Sequence, residues 1–143
     1  MAVNKESAVI DIIPRPMKNP KEVVENLRKN FYANKTRSLK FRRTQLENFI
    51  KFFEDNVDDL CDAVYKDLRK PRSETILCEI DFTINEIKNL LFNLNEYASP
   101  EYPEKGLVNM LDGVEIRKDP YGVVLVIGSW NYPLGIALNP MAG

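Results

Sequence analysis

Residues Val123 to Ile127 read VVLVI, apolar at every position, with Gly128 directly after them and Pro133 shortly beyond. A strand that is apolar on both faces must be covered on both faces, which is the pattern of parallel sheets. A parallel strand in turn requires a crossover helix and parallel neighbours. The chain of 143 residues contains one such run, followed by the beginning of a helix at Pro133, whose ring suits the first helical position. The expected fold class is therefore α/β: N-terminal helices, then the first strand–helix unit of a parallel sheet, with the rest of that sheet missing. The chain reads as truncated, because a lone strand with two open edges is a liability.

Ahead of the strand the pattern is helical. NPKEVVEN places Asn19 as N-cap, Pro20 at N1 and Glu22 at N3, a capping-box spacing. Val23, Val24, Leu27 and Phe31 then share one face. After the polar break ANKTRS, residues Leu46, Phe49, Ile50 and Phe53 repeat with helical spacing. Asn56 is the expected cap of a third helix, with Asp58 and Asp59 in its first turn. Its apolar face carries Val57, Leu60, Cys61, Val64 and Leu68, and Pro71 closes it. A long fourth helix is expected from Ser73 to Tyr97, with Ile76, Leu77, Ile80, Ile84, Ile87, Leu91 and Leu94 as its buried stripe.

Composition shifts after Ala98, where Pro100, Pro103, Gly106 and Gly113 mark a loop. VEIRK, residues 114–118, alternates with period two and predicts a half-exposed strand. DPYG, residues 119–122, has turn chemistry. The expected organisation is a flexible arm over 1–18, where Pro14 and Pro16 break regular structure, a helical region over 19–98, and over 99–143 a loop, strand 114–118 and the start of an incomplete α/β domain.

Several chemistries are excluded at once. The sequence has no histidine, which removes Ser-His-Asp and Cys-His catalysis and the commonest transition-metal ligand. No metal site is expected. A net charge of −1 with interspersed signs gives no field for nucleic acid or a membrane surface. No stretch reaches the roughly 20 apolar residues of a bilayer span, and the short apolar patch broken by Asp11 is no secretory signal, so the expected compartment is the cytoplasm. Cys61 and Cys78 fall on or beside apolar stripes and read as small hydrophobes, not nucleophiles. Lys66, Arg69, Lys70 and Arg72 read as the solvated, cationic end of a helix in preference to a phosphate site. Phe52 and Phe53 read as core, since no basic groove accompanies them.

The turn after the apolar run is different. Ligands of open α/β sheets collect beyond the carboxyl ends of the strands. Gly128 permits close backbone approach, Trp130 offers a flat wall, and Asn131 brings an uncharged N–H donor to the head of the Pro133 helix. Such a donor suits an oxyanion, because it meets negative charge without ionising. Position alone leaves a second possibility open, in which Asn131 caps a turn and Trp130 packs.

The stretch DPYGVVLVIGSWNYPLGIALNPMAG, residues 119–143, resembles the aldehyde dehydrogenase superfamily, especially its class 3, fatty-aldehyde branch. FRRTQLENFIKFFEDN and DLRK, within residues 22–97, are similar to the same branch, so the resemblance covers roughly the last 120 residues and leaves out the arm. It implies the N-terminal part of an NAD- or NADP-dependent enzyme that converts aldehydes to carboxylic acids through a cysteine thiohemiacetal. It also implies a homodimeric assembly. Asn131 matches the asparagine whose amide holds the oxyanion, and is the expected catalytic residue. Ile127, Gly128, Ser129 and Trp130 match the segment bordering the nicotinamide end of the cofactor, and Tyr132 matches a position on the substrate passage. The nucleophilic cysteine, the glutamate base and the Gly-rich cofactor turn of that family are not among these residues, so the chain alone is expected to be inactive. The competing expectation is a short, non-catalytic helical protein that binds a partner, such as a full-length dehydrogenase subunit.

Overall fold

A computed structural model describes residues 19–143. The arm expected over 1–18 lies outside the described residues. Six α-helices carry most of the architecture of the described residues. Helix α1 is Pro20–Tyr32, α2 is Leu39–Asp55, α3 is Val57–Leu68 and α4 is the single turn Arg72–Thr75. A π-helical segment, Ile76–Asp81, runs directly from α4 into α5, Phe82–Ala98. A short 3₁₀ turn, Leu107–Asn109, interrupts the following loop, and α6 is Pro133–Ala142.

The core forms where α2, α3 and α5 meet. Leu46 and Phe53 of α2, Cys61 and Val64 of α3, Ile80 of the π segment, and Ile84 and Ile87 of α5 are buried. Phe53 stacks obliquely on Phe49 at 5.5 Å and meets Phe52 edge-on. Leu134, Leu138 and Ala142 bring α6 onto the same cluster, so the last helix docks on α5 and the π segment. That docking positions the turn that precedes α6.

The N-terminal cap of α1 forms as expected, Asn19 Oδ1 accepting from Lys21 N at 3.1 Å. The apolar face of α1 remains largely outside: Val23 and Leu27 are exposed, and Val24 and Phe31 are half-buried. Phe31 instead approaches the loop at Gly122, whose φ of 110° is open to glycine and strained for other residues. Asn56 sits between α2 and α3, but its side chain does not cap α3. It turns back and donates to Phe52 O at 2.7 Å, closing α2.

The fourth helix spans the expected range but changes hydrogen-bond pattern inside it. The wider π turn, whose bonds run i to i+5, brings Glu79 and Ile80 together onto the buried face. Leu77, expected in the buried stripe, is consequently exposed.

Neither expected strand forms among the described residues. Residues 114–118 contribute one antiparallel bridge, Ile116 with Glu101, and VVLVI pairs with no other segment. Strand structure is made by partners, and no described segment pairs its backbone with Val123–Ile127. Val124, Leu125 and Ile127 are exposed. The structure is thus mostly helical, and of the expected strand–helix unit only the helix is present.

Candidate active site

The candidate site is the turn Ile127–Tyr132 and the three segments beneath it. Gly128 is where the turn meets α6. A Cβ at this position would lie 2.9 Å from Ala137 Cβ, so only glycine lets the backbone settle there. From that contact the chain moves outward: Ile127 is 82% exposed, Trp130 is 81% exposed, and Ser129 and Asn131 are exposed as well. Tyr132 turns back and is half-buried. Its carbonyl accepts from Ile136 N at 3.0 Å and opens α6.

The side-chain amide of Asn131 is oriented within the turn. Ser129 Oγ donates to Asn131 Oδ1 at 2.7 Å. The amide oxygen is thereby occupied, and Nδ2 of this exposed residue keeps two N–H groups to give.

The floor of the turn comes from residues far away in sequence. Arg69 ends α3 in the left-handed conformation, φ 56°, its N–H donating to Tyr65 O at 2.8 Å. The chain reverses there. Arg69 stays over the Tyr65 ring, whereas Lys70 is directed inward. Lys70 Nζ lies 2.5 Å from Glu79 Oε1 and donates to Asn131 O at 2.7 Å. It also stands over the Tyr132 ring, 3.9 Å from its centre. Glu79, presented by the π turn, uses its second oxygen to accept from Leu134 N at 2.8 Å. It therefore satisfies one of the orphan donors at the start of α6 and sits where the helix dipole favours an anion.

The sequence reading of Lys70 as part of a solvated helix end is corrected here: the side chain is 8% exposed and its partner Glu79 is fully buried. Lys66, Arg69 and Arg72 do lie outside, and Arg72 pairs with Asp58 of α3. The hydrogen bond and charge of Asp58 hold the Arg72 guanidinium above its ordinary pKa. The pair Lys70–Glu79 had one signal in sequence. Thr75, Glu79 and Thr83 recur every four residues beside the isoleucine stripe, which places an acid on a face that has to be buried.

Cys61 is buried and Cys78 exposed. Burial pushes the Cys61 thiol up from 9.0, with nearby Arg72 acting in the opposite direction and Asp58 and Asp62 adding to the rise. A thiol held neutral in this way is not a nucleophile. No cluster of metal-ligating side chains occurs among the described residues. A groove of about 790 Å³ lies between α2, α5 and the C-terminal end of α6, at the far end of that helix from Asn131. No described helix is long and apolar enough to cross a membrane.

A family profile described as the aldehyde dehydrogenase family matches residues 8–143, reaching back ahead of Asn19. The chain is 37% identical over 122 residues to aldehyde dehydrogenase family 3 member B1 of Bos taurus, which covers 85% of this chain and 26% of that relative. It is 36% identical over 120 residues to aldehyde dehydrogenase family 3 member A2 of Rattus norvegicus, covering 84% and 25%. It is 37% identical over 122 residues to a protein of Canis lupus familiaris named aldehyde dehydrogenase, dimeric NADP-preferring, covering 85% and 27%. The chain spans about a quarter of the length of the curated relatives it matches.

Proposed function

The chain belongs to the aldehyde dehydrogenase family, and from that premise we propose that it supplies the oxyanion donor of an NAD(P)-dependent enzyme that oxidises aldehydes to carboxylic acids. The nucleophilic cysteine and the glutamate base come from outside these 143 residues. Asn131 is the catalytic residue of this portion. The observation that carries this assignment is the 2.7 Å bond from Ser129 Oγ to Asn131 Oδ1, which reserves Nδ2 for an outside acceptor.

The role follows from charge. When a thiolate adds to an aldehyde, the carbonyl oxygen becomes an oxyanion. Nδ2–H of Asn131 donates to that oxygen, and as a neutral donor it neither takes up a proton nor repels the incoming thiolate. Tyr132, half-buried beside it, lines the aldehyde passage.

The residues at Ile127–Trp130 fit the uncharged nicotinamide end of NAD or NADP. They offer an exposed apolar wall and a backbone stripped of side chain at Gly128, with no cation to meet phosphate. The bound cofactor supplies hydride acceptance. Ile127 and Trp130 exclude water from that face, and the backbone of Gly128 and Ser129 borders it.

In the complete enzyme, Val123–Ile127 pairs in a parallel sheet, residues 19–98 form the helical region and residues 99–143 begin the cofactor-binding domain. A homodimer and a cytoplasmic location complete the proposal, the dimer supported by the name of the canine relative. The alternative of a short partner-binding protein is not favoured, since the likeness extends across the helices and the turn alike.

The test is Asn131→Ala in the complete dehydrogenase, followed by reduced-cofactor absorbance. Loss of one oxyanion donor costs about 10²- to 10³-fold in kcat. Retention of full kcat with a folded variant sinks the assignment. The 143-residue polypeptide by itself gives no turnover.

A further inference from the structure

Lys70 and Glu79 have no role in the chemistry so far, and their burial demands one. Their side chains are 8% and 0% exposed, and a buried ion pair is a poor source of net stability, since well-packed apolar substitutes often serve as well or better. What such a pair does well is to fix atoms whose alternatives all leave a charge unpaired. The atoms fixed here are specific. Lys70 Nζ holds the carbonyl of Asn131 at 2.7 Å, and Glu79 Oε2 holds the amide of Leu134 at 2.8 Å. The two anchors bracket Tyr132 and Pro133, and the Tyr132 ring lies against the Lys70 ammonium.

The ammonium has three donors and three directions of contact: Glu79, Asn131 O and the aromatic face. Little else restrains the turn from below. Trp130 and Ile127 are exposed, Ser129 acts only within the turn, and the Gly128 contact with Ala137 restrains its entry alone. The acid arrives through the π segment, a wide turn of the kind that recurs at functional sites.

We infer that Lys70 and Glu79 are positioning residues for Asn131, fixing the backbone of the oxyanion donor from beneath; the inference rests on the role proposed for Asn131. Lys70 acts through the Asn131 carbonyl, and Glu79 acts by holding both Lys70 and the first turn of α6. Neither touches substrate.

Removing one partner strands a buried charge, so Lys70→Met alone risks unfolding. The informative variant is the double substitution Lys70→Met with Glu79→Gln. It removes both charges, keeps an acceptor for Leu134 N and nearly conserves volume. The experiment uses the complete enzyme labelled with ¹⁵N-asparagine, the Asn131 amide pair being identified by its absence in Asn131→Ala, and hexanal as probe aldehyde at saturating cofactor. The expected result is a folded double variant whose Asn131 amide signals shift and broaden. Its kcat falls roughly 10- to 100-fold with KM changed less than about twofold, the signature of a donor displaced by up to about an ångström. Unmoved Asn131 signals overturn the inference, whatever happens to activity. So do moved signals with kcat intact, and so does a double variant that fails to fold, because the pair then holds the core instead of the turn. The parallel kcat of Asn131→Ala separates the two ideas: if it stays at the unsubstituted level, the oxyanion role fails, and the amide shift still reports whether the pair positions the turn.

Discussion

A side-chain amide held at its oxygen has only its nitrogen left to give. Ser129 imposes that condition on Asn131, so Ser129→Ala frees the amide to rotate and to present oxygen instead of N–H. One neutral hydrogen bond is worth about 1 kcal/mol net, so kcat of the complete enzyme is expected to drop about fivefold, with Ser129→Thr restoring it. Steady-state kinetics on the pair of variants checks this. Cys61 gives a second expectation at this scale. Its thiol is raised by burial, so the folded state binds the proton more tightly than the unfolded state does. The stability this contributes is fully present below the unfolded pKa near 9.0 and is lost as pH rises through the higher folded value. The gap in unfolding midpoint between the unsubstituted protein and Cys61→Ala should therefore narrow above about pH 9. At pH 8, iodoacetamide should modify Cys78 and spare Cys61. What was legible as residues is the turn itself: Gly128 announces a close backbone approach, met here by Ala137, and Pro133 announces the helix that follows. Lys70 and Glu79 were not legible as a pair. A lysine near a helix end satisfies the macrodipole without further explanation, and its inward direction depends on Arg69 taking a left-handed conformation that its side chain does not advertise.

Helices form from neighbours in sequence, and so the boundaries of α1, α2 and α3 and the approximate extent of α5 could be read from spacing and caps. The π segment could not, because its insertion is selected by a tertiary contact, Glu79 reaching Lys70 and α6. Strands failed for a related reason. Apolar alternation and apolar runs record which faces a segment needs covered, not whether a partner lies within reach, and Ile116 finds only Glu101. Helix α1 separates the two effects. Its cap is a local bond, Asn19 Oδ1 to Lys21 N, yet the helix contributes no buried residue to the core. Asn19→Ala should cost about 1 kcal/mol, and that loss should be confined to α1. Amide exchange in the first turn of α1 is expected to accelerate severalfold while the global melting temperature holds. A melting temperature that falls with the exchange would mean that α1 is part of the cooperative unit.

At the scale of the molecule, the described residues bury a single core under α2, α3, α5 and α6 and leave extensive apolar surface on the segments between α5 and α6. Leu107, Val108 and Leu111 project around the 3₁₀ turn, and Val124, Leu125, Ile127 and Trp130 project beyond it. Val124, Leu125 and Ile127 form the worst case, an extended apolar segment whose ladder groups pair with nothing among the described residues. An unpaired, uncharged, β-branched segment is a template for edge-to-edge association. A polypeptide of these 143 residues is expected to self-associate at micromolar concentration and to bind a hydrophobic dye, as seen by sedimentation velocity and fluorescence. Replacing Leu125 and Ile127 by lysine should return it to a monomer without loss of helical signal, because neither side chain touches the core under α2 and α5. Association that persists in this variant would shift attention to Leu107, Val108 and Leu111. The same substitutions made in the complete enzyme should act in the opposite sense: there the segment is proposed to lie inside a sheet, and two buried lysines without partners would abolish folding. The contrast between a solubilised fragment and an unfolded enzyme distinguishes a segment that awaits neighbours from one that is only an exposed loop.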